Sequence, residues 1–247
     1  MREVVFIFCL LTSGLYGQSI INTSSISHDL DSALSLVVDV GADFSRGNSS
    51  VNDINSSFGI GKSVSEDASV WILGGFNQLA VDGTTQQQAS YAHFRANYEI
   101  KKGITLNSYG QYQTNTVLDM DSRSLAGINL DFDFGKDGAF MLGVGVFNEN
   151  ELYGDGTSSN LIRGNIVGVA QYKSDHFEIV GFGYFQPAIV EFKDFRCIGE
   201  LSLRFPLSNS LQLAFNTALR FDSSPHSNLT TTDLGVMTSL RYELHNN

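Results

Sequence analysis

Arginines and carboxylates recur on one parity of successive short segments, and the chemistry open to them is the pairing and selection of charge. Arg95, Arg123, Arg163, Arg196, Arg204, Arg220 and Arg241 share the polar side of their segments with Asp39, Asp43, Glu99, Asp131, Asp133, Glu149, Glu200 and Glu243. Enclosed in a narrow space, such a set can pair into a network that braces and largely plugs the interior. The sharper alternative is charge rings that select small ions or solutes.

Other chemistries are poorly served. Gly59-Ile60-Gly61-Lys62-Ser63 imitates the end of a phosphate loop, but Ser56 stands where the motif needs its first glycine and no helical pattern follows. A lipid hydrolase in a membrane needs Ser, His and a polar orienter together near one rim. His93 is the one histidine well inside a patterned segment, and it falls on the polar side without a nucleophile; a hydrogen-bonding role is expected. Asp119 and Asp121 lack the further oxygen ligands of a calcium loop. No catalytic residue, metal ligand or cofactor is expected.

The elements that must carry the charges show best between Ser90 and Gly135. The first run there puts Ala92, Phe94, Ala96, Tyr98 and Ile100 on one side and Tyr91, His93, Arg95, Asn97 and Glu99 on the other. The second opposes Ile104, Leu106, Gly110 and Tyr112 to Asn107, Tyr109, Gln111 and Gln113. The third opposes Ala126, Ile128, Leu130, Phe132 and Phe134 to Arg123, Asn129, Asp131 and Asp133. Alternation at period two, greasy on one face and ionic on the other, predicts strands of a barrel with lipid outside and polar groups inside.

Similar segments begin near Leu34, Asn52, Ala68, Ala139, Leu161, Phe177, Phe195, Leu211 and Thr232. The prediction is a closed, antiparallel, up-and-down transmembrane β-barrel of about 12 strands. Two segments, 68–79 and 177–189, are apolar on both parities, so their register stays open; Pro187 marks an end or a bulge of the second. Lys101 to Gly103, Gly135 to Gly138, Ser174 to His176 and Pro206 to Ser210 read as tight periplasmic turns. Val81 to Gln88, Tyr153 to Asn160 and Asp222 to Thr231 read as longer outward loops. Aromatics fall at both ends of the greasy face: Phe44, Tyr112, Phe195 and Phe221 at one, Tyr98, Phe134, Tyr172, Phe205 and Tyr242 at the other. Two such girdles match the two interfaces of a bilayer.

Composition narrows the class. No apolar run after the N-terminus reaches the roughly 18 residues of a membrane helix. A net charge of −11 without a basic run argues against nucleic acid. Residues 1–17, with Arg2 ahead of an apolar core from Val4 to Leu11, read as a signal peptide. Residues 18–33 read as a short periplasmic leader and 34–247 as the barrel. Removing the signal takes Cys9 and leaves Cys197 alone, so no internal disulfide is expected.

At Arg95 to Tyr98 (RANY), Tyr109 to Asn115 (YGQYQTN) and Arg123 to Leu130 (RSLAGINL) the chain resembles the salt-induced outer-membrane protein family, catalogued as a domain of unknown function. The Gly47-Asn48 turn and the acidic Asn148-Glu149-Asn150-Glu151 stretch match too, so the resemblance runs from about Leu34 to Leu244. The C-terminus departs from the usual final aromatic, ending His245-Asn246-Asn247. The resemblance implies a bacterial outer-membrane barrel without an established activity, and it singles out Arg95 and Arg123. The expected function is a narrow channel for ions or small solutes, or a passive envelope component. The alternative is a structural or adhesive protein acting through its loops, and a lipid hydrolase is more remote. Expected partners are outer-membrane lipid and the barrel-insertion machinery.

Overall fold

The computed structural model describes residues 34–46, 50–135, 139–226 and 229–246. The expected signal peptide and leader, and the Gly47-Asn48 turn, lie outside the described residues. Twelve strands follow one another: β1 (Leu34–Arg46), β2 (Ser50–Ser65), β3 (Ala68–Val81), β4 (Thr84–Lys101), β5 (Ile104–Asn115), β6 (Met120–Phe134), β7 (Phe140–Tyr153), β8 (Ser158–Lys173), β9 (Glu178–Pro187), β10 (Phe195–Pro206), β11 (Leu211–Asp222) and β12 (Thr232–Asn246). Each pairs antiparallel with its chain neighbours, and β1 closes on β12 from Leu34↔Asn246 to Val40↔Leu240. Closure leaves no strand edge, which lipid could not satisfy.

Parity decides what each strand shows. On β6, Ile128 and Phe134 are exposed while Leu125, Asn129 and Asp131 are buried. The girdle aromatics Phe44, Tyr98, Tyr112, Phe134 and Tyr172 are exposed on the outer face, with Phe205 and Tyr242; Phe195 and Phe221 are half-buried there, in tilted contact with ring centroids 5.5 Å apart. Aromatics are not confined to the girdles: Phe58 and Phe94 are exposed on it nearer the middle of their strands.

The two open registers resolve for one reason. β3 turns Trp71 and Leu73 inward and Ile72 and Phe76 outward; β9 turns Val180, Phe182 and Tyr184 inward. Both strands are apolar on both faces because parts of the interior are apolar. Met141, Val167, Val169, Val180, Phe182, Tyr184 and Ile198 pack into one cluster inside the barrel, and Tyr109, Leu125 and Phe147 into another. Polar groups inside, as the alternating strands predict, therefore hold for only part of the interior.

A further expectation changes. The supposed long loop from Val81 to Gln88 is a two-residue turn, Asp82-Gly83, with φ of 50° and 79°. Paired positive φ values suit the twist of a tight hairpin, and the Asp-Gly dipeptide is its ordinary sequence signal. The greasy face also carries a cation: β2 runs on to Ser65, so Lys62 shares the outward parity of Ile54, Phe58 and Ile60 at the β2–β3 turn end. There its long stem can lift the ammonium out of the belt.

Candidate functional site

The predicted lumen charges gather mainly in two groups. The larger lies near the loop end of β6, β7, β8 and β10. Glu149, fully buried, accepts from Arg163 Nε at 2.8 Å and Arg196 Nη1 at 2.6 Å, with Arg123 Nε at 3.6 Å. Glu151 pairs with Arg123 and receives Arg196 Nη2 at 3.1 Å and the Tyr153 hydroxyl at 2.7 Å. Arg163 also reaches Asp194 at 2.9 Å, and Arg196 reaches Asp222 at 2.8 Å. Asp194 and Asp222 were not singled out in the sequence, because one lies in a connection and the other at a strand end. Alternating signs and short contacts leave each charge compensated, as enclosure requires.

The second group sits toward the turn end of β9 to β12. Arg204 donates to Glu178 at 3.2 Å and to Ser202 at 3.2 Å, and Arg241 pairs with Glu243. Between the two groups is Arg220, whose nearest carboxylate in an ion pair, Glu200, is 3.9 Å away; its buried Nε makes no hydrogen bond.

The remaining predicted charges have other places. Glu99 Oε1 accepts from the Gly103 N–H at 3.1 Å, closing the β4–β5 turn. Asp131 accepts from Asn107. Asp133 is half-buried near the β6–β7 turn, and the side chain of Asp43 lies outside the described residues. Arg95 and Arg123 do not act as a pair: Arg123 is in the large cluster, whereas Arg95 is buried opposite Tyr109 and Trp71 with its Nε unpartnered. His93 is buried facing inward, its Nδ1 3.0 Å from Gln111 Oε1 and its ring stacked on Tyr109. That arrangement lends no support to a hydrolytic triad.

An amide chain crosses the middle of the same side as the large cluster. Gln186 Nε2 donates to Asn165 Oδ1, and Asn165 Nδ2 to Asn129 Oδ1, each at 3.1 Å. With the apolar cluster nearer the turn end, it fills the interior facing β6 to β10.

The opposite side stays open. A cavity of about 210 Å³ is lined by Asn55, Ser57, Asn77, Tyr91, Gln113 and Asn115 on one wall and by Asp39, Glu200, Arg204, Arg220, Asn216 and Arg241 on the other. Tyr91 leans over Gly75, where a Cβ would overlap its ring. Asn115 Oδ1 caps the turn Thr116–Leu118, accepting from the Val117 N–H at 2.9 Å, which leaves its buried Nδ2 unpartnered. A second recess, about 60 Å³, lies at the loop end between Tyr153, Arg196, Asp222 and His226. Arg220 lines both spaces. Above them the His226 ring stacks on Tyr153 at 3.7 Å, with Asp155 3.4 Å from its Nε2. Asp155 is held below the ordinary aspartate range, first by the Thr157 hydroxyl and then by the Thr157 N–H.

The barrel is similar in fold to the NanC porin, over 86% of this chain and 99% of that one, with a TM-score of 0.50 at 9% identity. It also aligns with the translocator domain of the autotransporter NalP from Neisseria meningitidis (89% and 91%, TM-score 0.46, 9% identity). The CymD monoaromatic hydrocarbon channel aligns over 90% and 92%, with a TM-score of 0.45 at 8% identity. No curated protein matches the chain. The sequence model of the family described as "Protein of unknown function, DUF481" matches residues 38–244, and the chain belongs to that family.

Proposed function

We propose that this protein is a non-enzymatic channel of the bacterial outer membrane, passing ions or small polar solutes along the open side of its lumen. One observation carries the reading: a cavity bearing Asp39, Glu200, Arg204, Arg220 and Arg241 persists beside an interior otherwise filled by ion pairs, amides and apolar side chains. Charges facing a narrow space between low-dielectric walls act strongly on whatever enters it. Arg220, shared by the mouth recess and the main cavity, stands where a solute from the loop end would pass. The exposed apolar belt would face lipid, and the insertion machinery would place the barrel there. Fold likeness to a porin supports the reading by analogy only.

Conductance of the purified barrel in planar bilayers tests this. Small discrete openings are expected, with Arg220→Gln moving the reversal potential in a salt gradient toward cations. Arg95→Gln should leave it in place, because Arg95 lines neither cavity. Silence from a folded, heat-modifiable barrel would sink the channel and leave a passive or loop-mediated envelope role.

A further inference from the structure

β9 ends at Pro187, while β8 beside it continues upward to Ser158. Residues 188–194 fill the gap this leaves in the wall. Ala188 bridges to Arg163, and the Ile189 N–H donates to Ile162 O at 2.9 Å, so strand alternation carries on into the loop. Ala188 is buried, and Ile189 lies beside Ile162 on the outer face, both about half exposed. Beyond them Val190 is 90% and Phe192 66% exposed.

The loop is held firmly for one with so apolar a tip. From inside the barrel, Arg163 Nη1 and Nη2 grip the two carboxylate oxygens of Asp194 at 2.9 and 3.1 Å. The Ala188 N–H donates to Asp194 O at 2.8 Å, and Ser223 Oγ donates to Lys193 O at 2.8 Å. On one flank the loop runs into an outward row of tilted rings, Phe185, Phe195 and Phe221, with centroids 5.6 and 5.5 Å apart. On the other, the outer face of β7 changes from Val144 and Val146 to Asn148 and Asn150, tied to each other at 2.7 Å and to Asn160 at 2.9 Å. Asn148 is in register with Ile162. The border between greasy and amide surface therefore passes through the base of the loop.

We propose that residues 189–192 anchor the barrel in the interfacial layer of the surrounding bilayer, which takes up Ile189, Val190 and Phe192 while Glu191 and Lys193 stay among the headgroups. Apolar and aromatic groups at that depth, flanked by charge, suit the boundary between acyl chains and headgroups. The inference rests on the membrane reading above and adds that the buried Glu149–Arg163–Asp194 chain sets the pose of a lipid-facing loop.

Tryptophan fluorescence in lipid brominated along its acyl chains tests it. Trp71, the only tryptophan, is buried facing inward and serves as the internal control. Emission of the unmodified protein should be indifferent to bromine, and Ile128→Trp, in the middle of the outer face, should be quenched. Val190→Trp should be quenched too, and more by phosphatidylcholine brominated near the carbonyl end of the chain than near its methyl end. A quenched Ile128→Trp with an unquenched Val190→Trp would overturn the anchor and leave the barrel reading intact. An unquenched Ile128→Trp would overturn both. A stable dimer that Val190→Asp converts to monomer would also overturn the anchor, by assigning the loop to a second copy.

Discussion

On the inner faces of β6 to β10, Glu149, Arg163 and Arg196 lock together, and Asn129, Asn165 and Gln186 are chained through their amides below. On those of β2 to β5, Asn55, Asn77, Gln113 and Asn115 face the cavity, with Arg220 on its far wall, 3.9 Å from Glu200. Both regions alternate at the same period and both are polar. What separates them is reach. In the first, side chains from non-adjacent strands meet across the interior, as Glu149 of β7 does with Arg196 of β10. In the second, amides satisfy neighbours along their own wall, as Asn55 does with Asp53 at 3.1 Å. The first region braces the barrel, and the second leaves room for a passage.

The sharpest way to break this contrast is to remove the centre of the brace. Glu149→Gln strips the carboxylate from buried guanidiniums and should cost about 3–5 kcal/mol, the usual result of orphaning one partner of a buried pair. The urea midpoint of the detergent-folded barrel reads the loss, and Arg220→Gln should move that midpoint much less while altering conduction more. Next is Gly75→Ala. Its Cβ would overlap the Tyr91 ring, so about 1–3 kcal/mol of overpacking is expected. Tyr91 should be pushed into the cavity, lowering single-channel conductance. Gln186→Leu should cost about 1–3 kcal/mol by leaving Asn165 Oδ1 without its donor. Conductance should not change, because Gln186 lies off the open side.

The smallest effect belongs to the loop end. Asp155 owes its low pKa first to the Thr157 hydroxyl, so its charged form is favoured in the folded loop. A depressed carboxylate contributes its stabilisation above the unfolded pKa, near 3.9, and loses it as pH falls through the folded value. Thr157→Val should raise the Asp155 titration toward the ordinary range, as followed by carboxyl-carbon NMR between the acid limb and neutral pH. The barrel midpoint should not move.

The strands were legible because lipid outside and polar groups inside impose opposite demands on alternate residues, as Phe94 and Arg95 or Ile128 and Asn129 show. Legibility failed at Ala68–Val81 and Glu178–Pro187, where the inner residues Trp71, Leu73, Val180 and Phe182 are themselves apolar. Which charges would meet was less visible. Arg123 and Glu151 are cross-strand neighbours in register, a pairing that adjacency suggests. Arg196 with Glu149 depends on the width of the closed interior and on which strands face each other, and no local pattern encodes either. The Asp82-Gly83 turn was written in the sequence but obscured by the run of amides after it, which belongs to a strand extended beyond its neighbours' greasy rows.

The division of the lumen can be tested by charging one side at a time. With Cys9 and Cys197 replaced by serine, Asn216→Cys would place a thiol on the cavity wall and Val167→Cys would place one in the packed apolar cluster. A charged methanethiosulfonate added during single-channel recording should reduce current through Asn216→Cys and leave Val167→Cys unaffected. Block at Val167→Cys with none at Asn216→Cys would contradict the account, since ions would then be travelling through the side described here as closed.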